Sequence, residues 1–346
     1  MKRERDCNLD LLKAIAIVFV LLWHLRPVAL TPVPLTNSLP YFLINIFNNK
    51  ITLIAVPLFY LISNRLFLEN VKTSSNYVSQ RITRILTIYL FWTLVQIVLY
   101  YITFFVFEYF RWGWPIEPRS LFKHIIMGGP SLPIVGDSVF YFLFNLLLLT
   151  CIAFIYSKIK EEWRFKLSCL LVVLYCLYFL MLHFVNAPIP YWRIDNFIVY
   201  IPLADICLKK NNRLFFFLSL SLFGAFILYE HHQYEITSIY ARNSILFGTL
   251  SFYLGVNEIT LKRLPGKINL LSFYSLGIFS LHKYWMMIFI VCLSLLFNYL
   301  HINQQIRLAT SFLSILQFFA ATLAFLFTIL TVYVMNLSKY LRKYVR

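Results

Sequence analysis

The chain has 346 residues, 60% of them hydrophobic, 19% aromatic and 13% charged, with a mean hydropathy of +0.74. An ordinary soluble domain is about a quarter charged, so the composition excludes a soluble globular protein, a disordered chain and a disulfide scaffold. The 31 Lys and Arg against 14 Asp and Glu give a net charge of +17; in a chain this apolar the excess is read as anchoring cytoplasmic loops and meeting anionic lipid, not as binding nucleic acid.

A membrane helix needs about 20 apolar residues. Ten segments qualify: 9–30, 40–68, 84–108, 137–157, 167–185, 194–208, 214–230, 242–257, 269–299 and 309–337. The expected fold is all-α, a polytopic integral membrane protein of about ten transmembrane helices, with residues 1–346 forming a single domain. The sixth segment is short; the second and ninth are long enough to tilt or break. Connections numbered alternately from an inside start hold three or four basic residues on the inside and mostly one on the outside. That pattern places both termini in the cytoplasm. The first segment opens as a signal peptide would. Its apolar run is too long, however, and ends in Trp23-His24-Leu25-Arg26-Pro27 with no small-residue cleavage site, so it is expected to stay as the first helix. The longest outer connection, about 109–136, has a length that often carries function. The six cysteines are scattered, with no disulfide framework and no metal-type pair.

Ionisable groups at membrane depth are costly and mark sites or pairs. In chain order, the first helix carries Asp10, Lys13 and His24. Lys13 and His24 are eleven residues apart, about three turns plus 20°, so they share a face about 16 Å apart along the axis. Asp10 lies one turn before Lys13 and is placed to pair with it. Arg81 and Arg84 share a face at the cytoplasmic start of the third helix, where they suit an anionic ligand such as a phosphate or serve as topology anchors. Arg193 and Asp195, at the outer end of the sixth span, are placed to pair. Glu69, Asp205 and Glu258, near the cytoplasmic face, are expected to be solvated or paired; Asp137 opens the fourth span as a cap; His231 and His232 read as a solvated outer loop. His282, deep in the ninth span, matches His24 in depth, and two deep histidines suggest proton transfer, a feature that proton-coupled transporters share. No nucleophile elbow, P-loop or HExxH zinc motif is present.

The stretch Leu9 to His24 resembles the first helix of the acyltransferase family 3 membrane proteins, which reads LDxLRxxA, an apolar run and then His. The spacing is kept, and Lys13 stands where the family usually has Arg. Three further blocks agree in order. Val56 to Asn64 resembles the family's VPLFFxISG, with Asn64 in place of Gly. Arg81-Ile82-Thr83-Arg84-Ile85 resembles RxxRI at the start of the third helix. Ser275 to His282 resembles SxxIYLxH.

The resemblance implies transfer of an acyl group, most often acetyl, from cytoplasmic acyl-CoA to a hydroxyl of a surface or exported carbohydrate. It also implies a multi-pass protein of the bacterial cytoplasmic membrane. No bound cofactor and no metal are expected; acetyl-CoA is a co-substrate, and the partners are the carbohydrate acceptor and the lipid bilayer. Lys13, Arg81 and Arg84 are then the candidates for the CoA phosphates. His24 acts as general base or transient acyl carrier, with Asp10 orienting Lys13. His282, Ser63 and Asn64 line the passage, and Arg193 meets the acceptor from outside. Lysine cannot reproduce the bidentate fork of arginine, so Lys13 makes a point-charge contact. A transporter or flippase of lipid-linked or acylated saccharides shares the helix count and the buried histidines. A glycan polymerase would need a larger outward loop.

Overall fold

A computed structural model describes residues 6–25, 39–72, 76–109, 139–187, 189–209, 213–231, 239–259, 261–299 and 310–346. Nearly all of the outer loop expected at 109–136 lies outside these residues, as do Asp137, Arg26 and His232. Among the described residues there is helix and no strand. The helices are α1 (Cys7–Leu25), α2 (Leu39–Ile46), α3 (Ala55–Asn70), α4 (Tyr77–Tyr109), α5 (Tyr141–Ser157), α6 (Glu161–Phe184), α7 (Tyr200–Lys209), α8 (Arg213–His231), α9 (Asn243–Asn257), α10 (Gly266–Phe273), α11 (Ser275–Tyr299), α12 (Thr310–Leu337) and the short α13 (Arg342–Val345). Six stretches of the described residues are long and apolar enough to cross a membrane: Cys7–His24, Leu43–Asn70, Tyr77–Leu99, Glu161–Phe184, Arg213–Glu230 and Phe318–Leu337. The other expected segments correspond to α5, α7, α9 and α11.

Local sequence explains several boundaries. Two acidic residues, Glu161 and Glu162, occupy the first turn of α6, where the helix dipole favours them. At its other end Asn186 takes a left-handed backbone (φ 51°). Ala187 N–H then reaches Leu182 O at 3.0 Å and Asn186 N–H reaches His183 O, a Schellman cap that satisfies the last carbonyls. The long second segment does break. Between α2 and α3 the backbone passes through a π turn (Phe47–Ile51) and a 3-10 turn (Thr52–Ile54). Thr52 Oγ1 donates to Asn48 O at 2.6 Å there, giving that carbonyl a partner inside the irregular stretch. The ninth segment also breaks, at Tyr274 between α10 and α11.

The chain divides into two compact units. The first comprises Met1–Val20, Asn45–Leu86 and Phe142–Ser272. Its centre is α7, buried from Tyr200 to Cys207 and packed against α3 and α6. Helices α8 and α9 pair alongside. Their close approach needs Gly248, because a Cβ there would stand 2.8 Å from Ile54 Cδ1 and from the Phe223 ring. The second unit comprises Leu21–Ile44, Thr87–Tyr141 and Phe273–Arg346. Here α11 and α12 pair, and α13 folds back onto them. Val345 is fully buried, the Tyr344 ring stacks on Phe91 at 3.7 Å, and Trp92 Nε1 donates to Tyr344 O at 2.9 Å. A Cβ on Gly277 would press on Val332 and Val345 at 3.0 Å.

Large apolar side chains remain exposed along whole helix faces: Leu170, Val173, Leu174, Leu177 and Met181 on α6, and Phe319, Leu326 and Leu330 on α12. Such stripes are stable only against hydrocarbon. The buried charge goes the other way. Arg164 Nε meets Asp205 Oδ1 at 2.7 Å, and Ser168 Oγ donates to Asp205 Oδ2 at 2.9 Å, all fully buried between α6 and α7. Replacing Asp205 by Ala would leave the guanidinium buried without its carboxylate. It should cost about 3–5 kcal/mol of stability, read as thermal unfolding in detergent. The apolar pair Arg164→Met with Asp205→Leu should cost less than either single change.

Candidate functional site

In the first unit, α1 brings Asp10 and Lys13 onto one face. Their side chains pair as the spacing suggested, Lys13 Nζ to Asp10 Oδ1 at 3.5 Å. Asp10 is also held by Ser272 Oγ, which donates to Oδ1 at 2.9 Å from α10. The carboxylate is therefore fixed from two sides, while the Lys13 side chain keeps 31% of its surface exposed. Such a cation is positioned yet reachable by an anion.

Arg81 and Arg84 part company. Arg81 Nη2 donates to Ser63 O at 3.0 Å and to Ser63 Oγ at 2.6 Å. Its Nη1 reaches Tyr77 OH at 3.3 Å, and its guanidinium lies over the Phe67 ring. That side chain ties α4 to α3. Arg84, one turn on, is exposed. Ser63 is thus engaged by Arg81, and its neighbour Asn64 is fully buried. Arg193 forms a forked pair with Asp195, Nη2 to Oδ2 at 2.7 Å and Nε to Oδ1 at 3.1 Å, and half of its side chain is exposed. Tyr178 OH donates to the same carboxylate at 3.2 Å. Glu69 pairs with Arg65 and Glu258 with Arg213, as expected near that face.

In the second unit, His24 at the end of α1 meets His282 on α11. Their ring centroids are 4.9 Å apart and the rings are tilted by 42°. His282 Nδ1 lies 2.8 Å from Phe279 O and 3.2 Å from Ile278 O. Both neighbours only accept, so Nδ1 carries the ring proton and Nε2 offers a lone pair. That Nε2 is buried and has no hydrogen-bond partner among the described residues. Sequence spacing gave the two histidines one depth; the structure gives them contact.

Two buried clusters were not foreseen. Lys50, inside the segment expected at 40–68, sits in the π turn of the Leu43–Asn70 stretch and is 2% exposed. Its Nζ bonds Glu230 Oε2 at 2.5 Å and Ser244 Oγ at 3.3 Å, and Ser244 donates to Glu230 through both N–H and Oγ. The signal available was a lysine within an apolar run, but its partners lie 180 and 194 residues away. The other is the Arg164–Asp205–Ser168 cluster, of which only Asp205 drew notice in the sequence.

The helices, their apolar outer faces and these inward polar groups define a multi-pass helical membrane protein. Its family is shown by comparison: the acyltransferase-domain model of the acyltransferase 3 family matches residues 8–334, nearly the whole chain. The protein belongs to that family. No curated protein and no solved structure matches the chain.

The histidine geometry is directly testable. In protein labelled with ¹⁵N-histidine, the His282 ring nitrogens should show the Nδ1–H tautomer. Substituting Phe279 should leave that state in place, because its acceptor is a backbone carbonyl.

Proposed function

We propose that this acyltransferase moves an acyl group, acetyl in the simplest case, from cytoplasmic acyl-CoA to a hydroxyl of a cell-surface or exported carbohydrate. In this reading the chain acts as one domain of ten spans in the bacterial cytoplasmic membrane, with both termini inside. The observation that carries the chemistry is the His24–His282 contact. It supports acyl transfer by general base catalysis: His24 takes the proton of the acceptor hydroxyl, the oxygen attacks the thioester carbonyl, and CoA leaves as the thiol. His282, with its ring proton committed to backbone carbonyls, stands beside His24 as a proton acceptor. Either role for His24, base or acyl carrier, needs a neutral imidazole.

The remaining roles follow the exposures. Lys13, oriented by Asp10, and Arg84 meet the CoA phosphates at the inner face. Arg81 positions α3 through Ser63 and lends its charge to the same region. Along α1, eleven residues and about 16 Å separate Lys13 from His24, a distance that a phosphopantetheine arm can bridge. Arg193, forked onto Asp195, contacts the acceptor at the outer end.

The test uses membrane vesicles with the host's envelope glycan and radiolabelled acetyl-CoA, following label into alkali-labile ester. His24→Ala should reduce transfer by about 10² to 10⁴. Lys13→Arg should keep or raise activity, since Arg adds a forked donor at the same place. Transport of the glycan without consumption of acetyl-CoA would overturn the reading in favour of a transporter.

A further inference from the structure

Gln96 lies within an apolar run of α4, Leu94-Val95-Gln96-Ile97-Val98. Helical spacing puts Trp92, Gln96 and Ile97 on a buried face, while Leu94 and Val98 stay exposed on the other. The Gln96 side chain is buried, and its Nε2 donates to Ser280 O of α11 at 2.9 Å. Among the described residues its Oε1 has no hydrogen-bond partner. A buried oxygen left open costs more than one made hydrogen bond contributes. The carboxamide is therefore a poor source of net stability. What it supplies is a fixed point on a neighbouring helix.

That point is the backbone of α11, two residues before His282. Ser280 Oγ donates within its own helix, to Leu276 O, so the carbonyl is what α4 grips. Residues 280 and 282 stand about 200° apart around an α-helix. Gln96 thus holds α11 from one side, and His282 leaves from the opposite side to meet His24, with ring centroids 4.9 Å apart. Other ties to α11 differ in kind. Trp285 Nε1 donates to Thr331 Oγ1 of α12 at 3.1 Å, a bond between two side chains. Gly277 meets Val332 and Val345 by apolar packing. A bond to a backbone carbonyl selects one register and one rotation of the helix itself.

We propose that Gln96 is a positioning residue: by holding Ser280 O it sets the register of α11 that places His282 against His24. This rests on the acyl-transfer reading, in which the histidine contact serves the acceptor hydroxyl. Gln96 acts through the backbone and exchanges no proton. Its loss lowers kcat by about tenfold to a hundredfold, the scale of a small misplacement of reacting groups, and leaves substrate binding alone.

The experiment uses the full-length protein, purified, with Gln96→Met, which keeps an unbranched side chain of similar length and removes both the donor and the open oxygen. The kcat should fall while the KM values for acyl-CoA and acceptor stay unchanged, and the unfolding temperature should equal or exceed that of the wild type. A second readout needs no turnover. With protonated histidine in deuterated protein, the wild type should give a cross-peak between the His24 and His282 rings, and Gln96→Met should weaken it. The Nδ1–H tautomer of His282 should persist in both, since its acceptors, Phe279 O and Ile278 O, belong to its own helix. Trp92→Phe is the control: it removes another side-chain donor from the same face of α4, one that serves Tyr344 O and not α11. It should keep both the cross-peak and kcat. Equal losses of kcat in the two variants overturn the proposal, as does a raised KM with kcat unchanged, or an unchanged cross-peak. Should Gln96→Met not fold, Gln96→Leu takes the same measurements; failure of both to fold makes Gln96 a structural residue and overturns the proposal. If the wild type transfers no acyl group but the cross-peak depends on Gln96, the acyl-transfer reading fails and the positioning of His282 stands.

Discussion

Hydrocarbon offers no water to a polar group, so any such group carried inside must find its partner in the protein. The first unit is built around that constraint. Arg164, Asp205 and Ser168 close on one another between α6 and α7. Lys50, Glu230 and Ser244 close on one another where the π turn meets α8 and α9. Arg81 is taken up by Ser63, and Asp10 by Lys13 and Ser272. Each cluster joins separate elements, and the ion pairs are specific, because breaking one partner leaves the other charge stranded. Apolar packing alone would tolerate many registers of helix against helix; these pairs select one.

The same constraint separates scaffold from site. The buried ion pairs that hold the first unit are satisfied within it, whereas other buried polar groups keep an unpaired atom. Such an unpaired atom carries a cost. His282 Nε2 and Asn64 belong to the second kind, and both lie in stretches where the sequence resembles the family. Lys13, Arg84 and Arg193 differ again: they retain exposed surface. Saturated pairs, unpaired buried atoms and exposed cations are thus three distinct kinds of polar group in this membrane protein.

Breaks in the helices do part of this placing. The π and 3-10 turns before α3 aim Lys50 inward, and the π turn contains Asn48 and Asn49, residues with weak helical preference. Irregular backbone at membrane depth survives only when its freed groups are satisfied, which Thr52 does for Asn48. In the second unit the compensation is steric. Gly277 gives α11 room beside α12 and α13, and that helix carries His282.

The sequence by itself determined the membrane class, the all-helical fold and most helix positions, because the bilayer makes length and apolarity local properties. It also determined the Asp10–Lys13 and Arg193–Asp195 pairs, since partners three or two residues apart meet through local geometry alone. The resemblance of four blocks pointed to the family that the whole-chain match then showed. Only the tertiary structure decided which residues across the chain touch. His24 reaches His282, Asp10 reaches Ser272, and Lys50 reaches Glu230. It also divided Arg81 from Arg84, two residues alike in type and face, by bonding one, half-buried, to Ser63 and leaving the other exposed. Helix periodicity says which face a side chain takes; what that face meets is set by long-range packing, which no local pattern encodes.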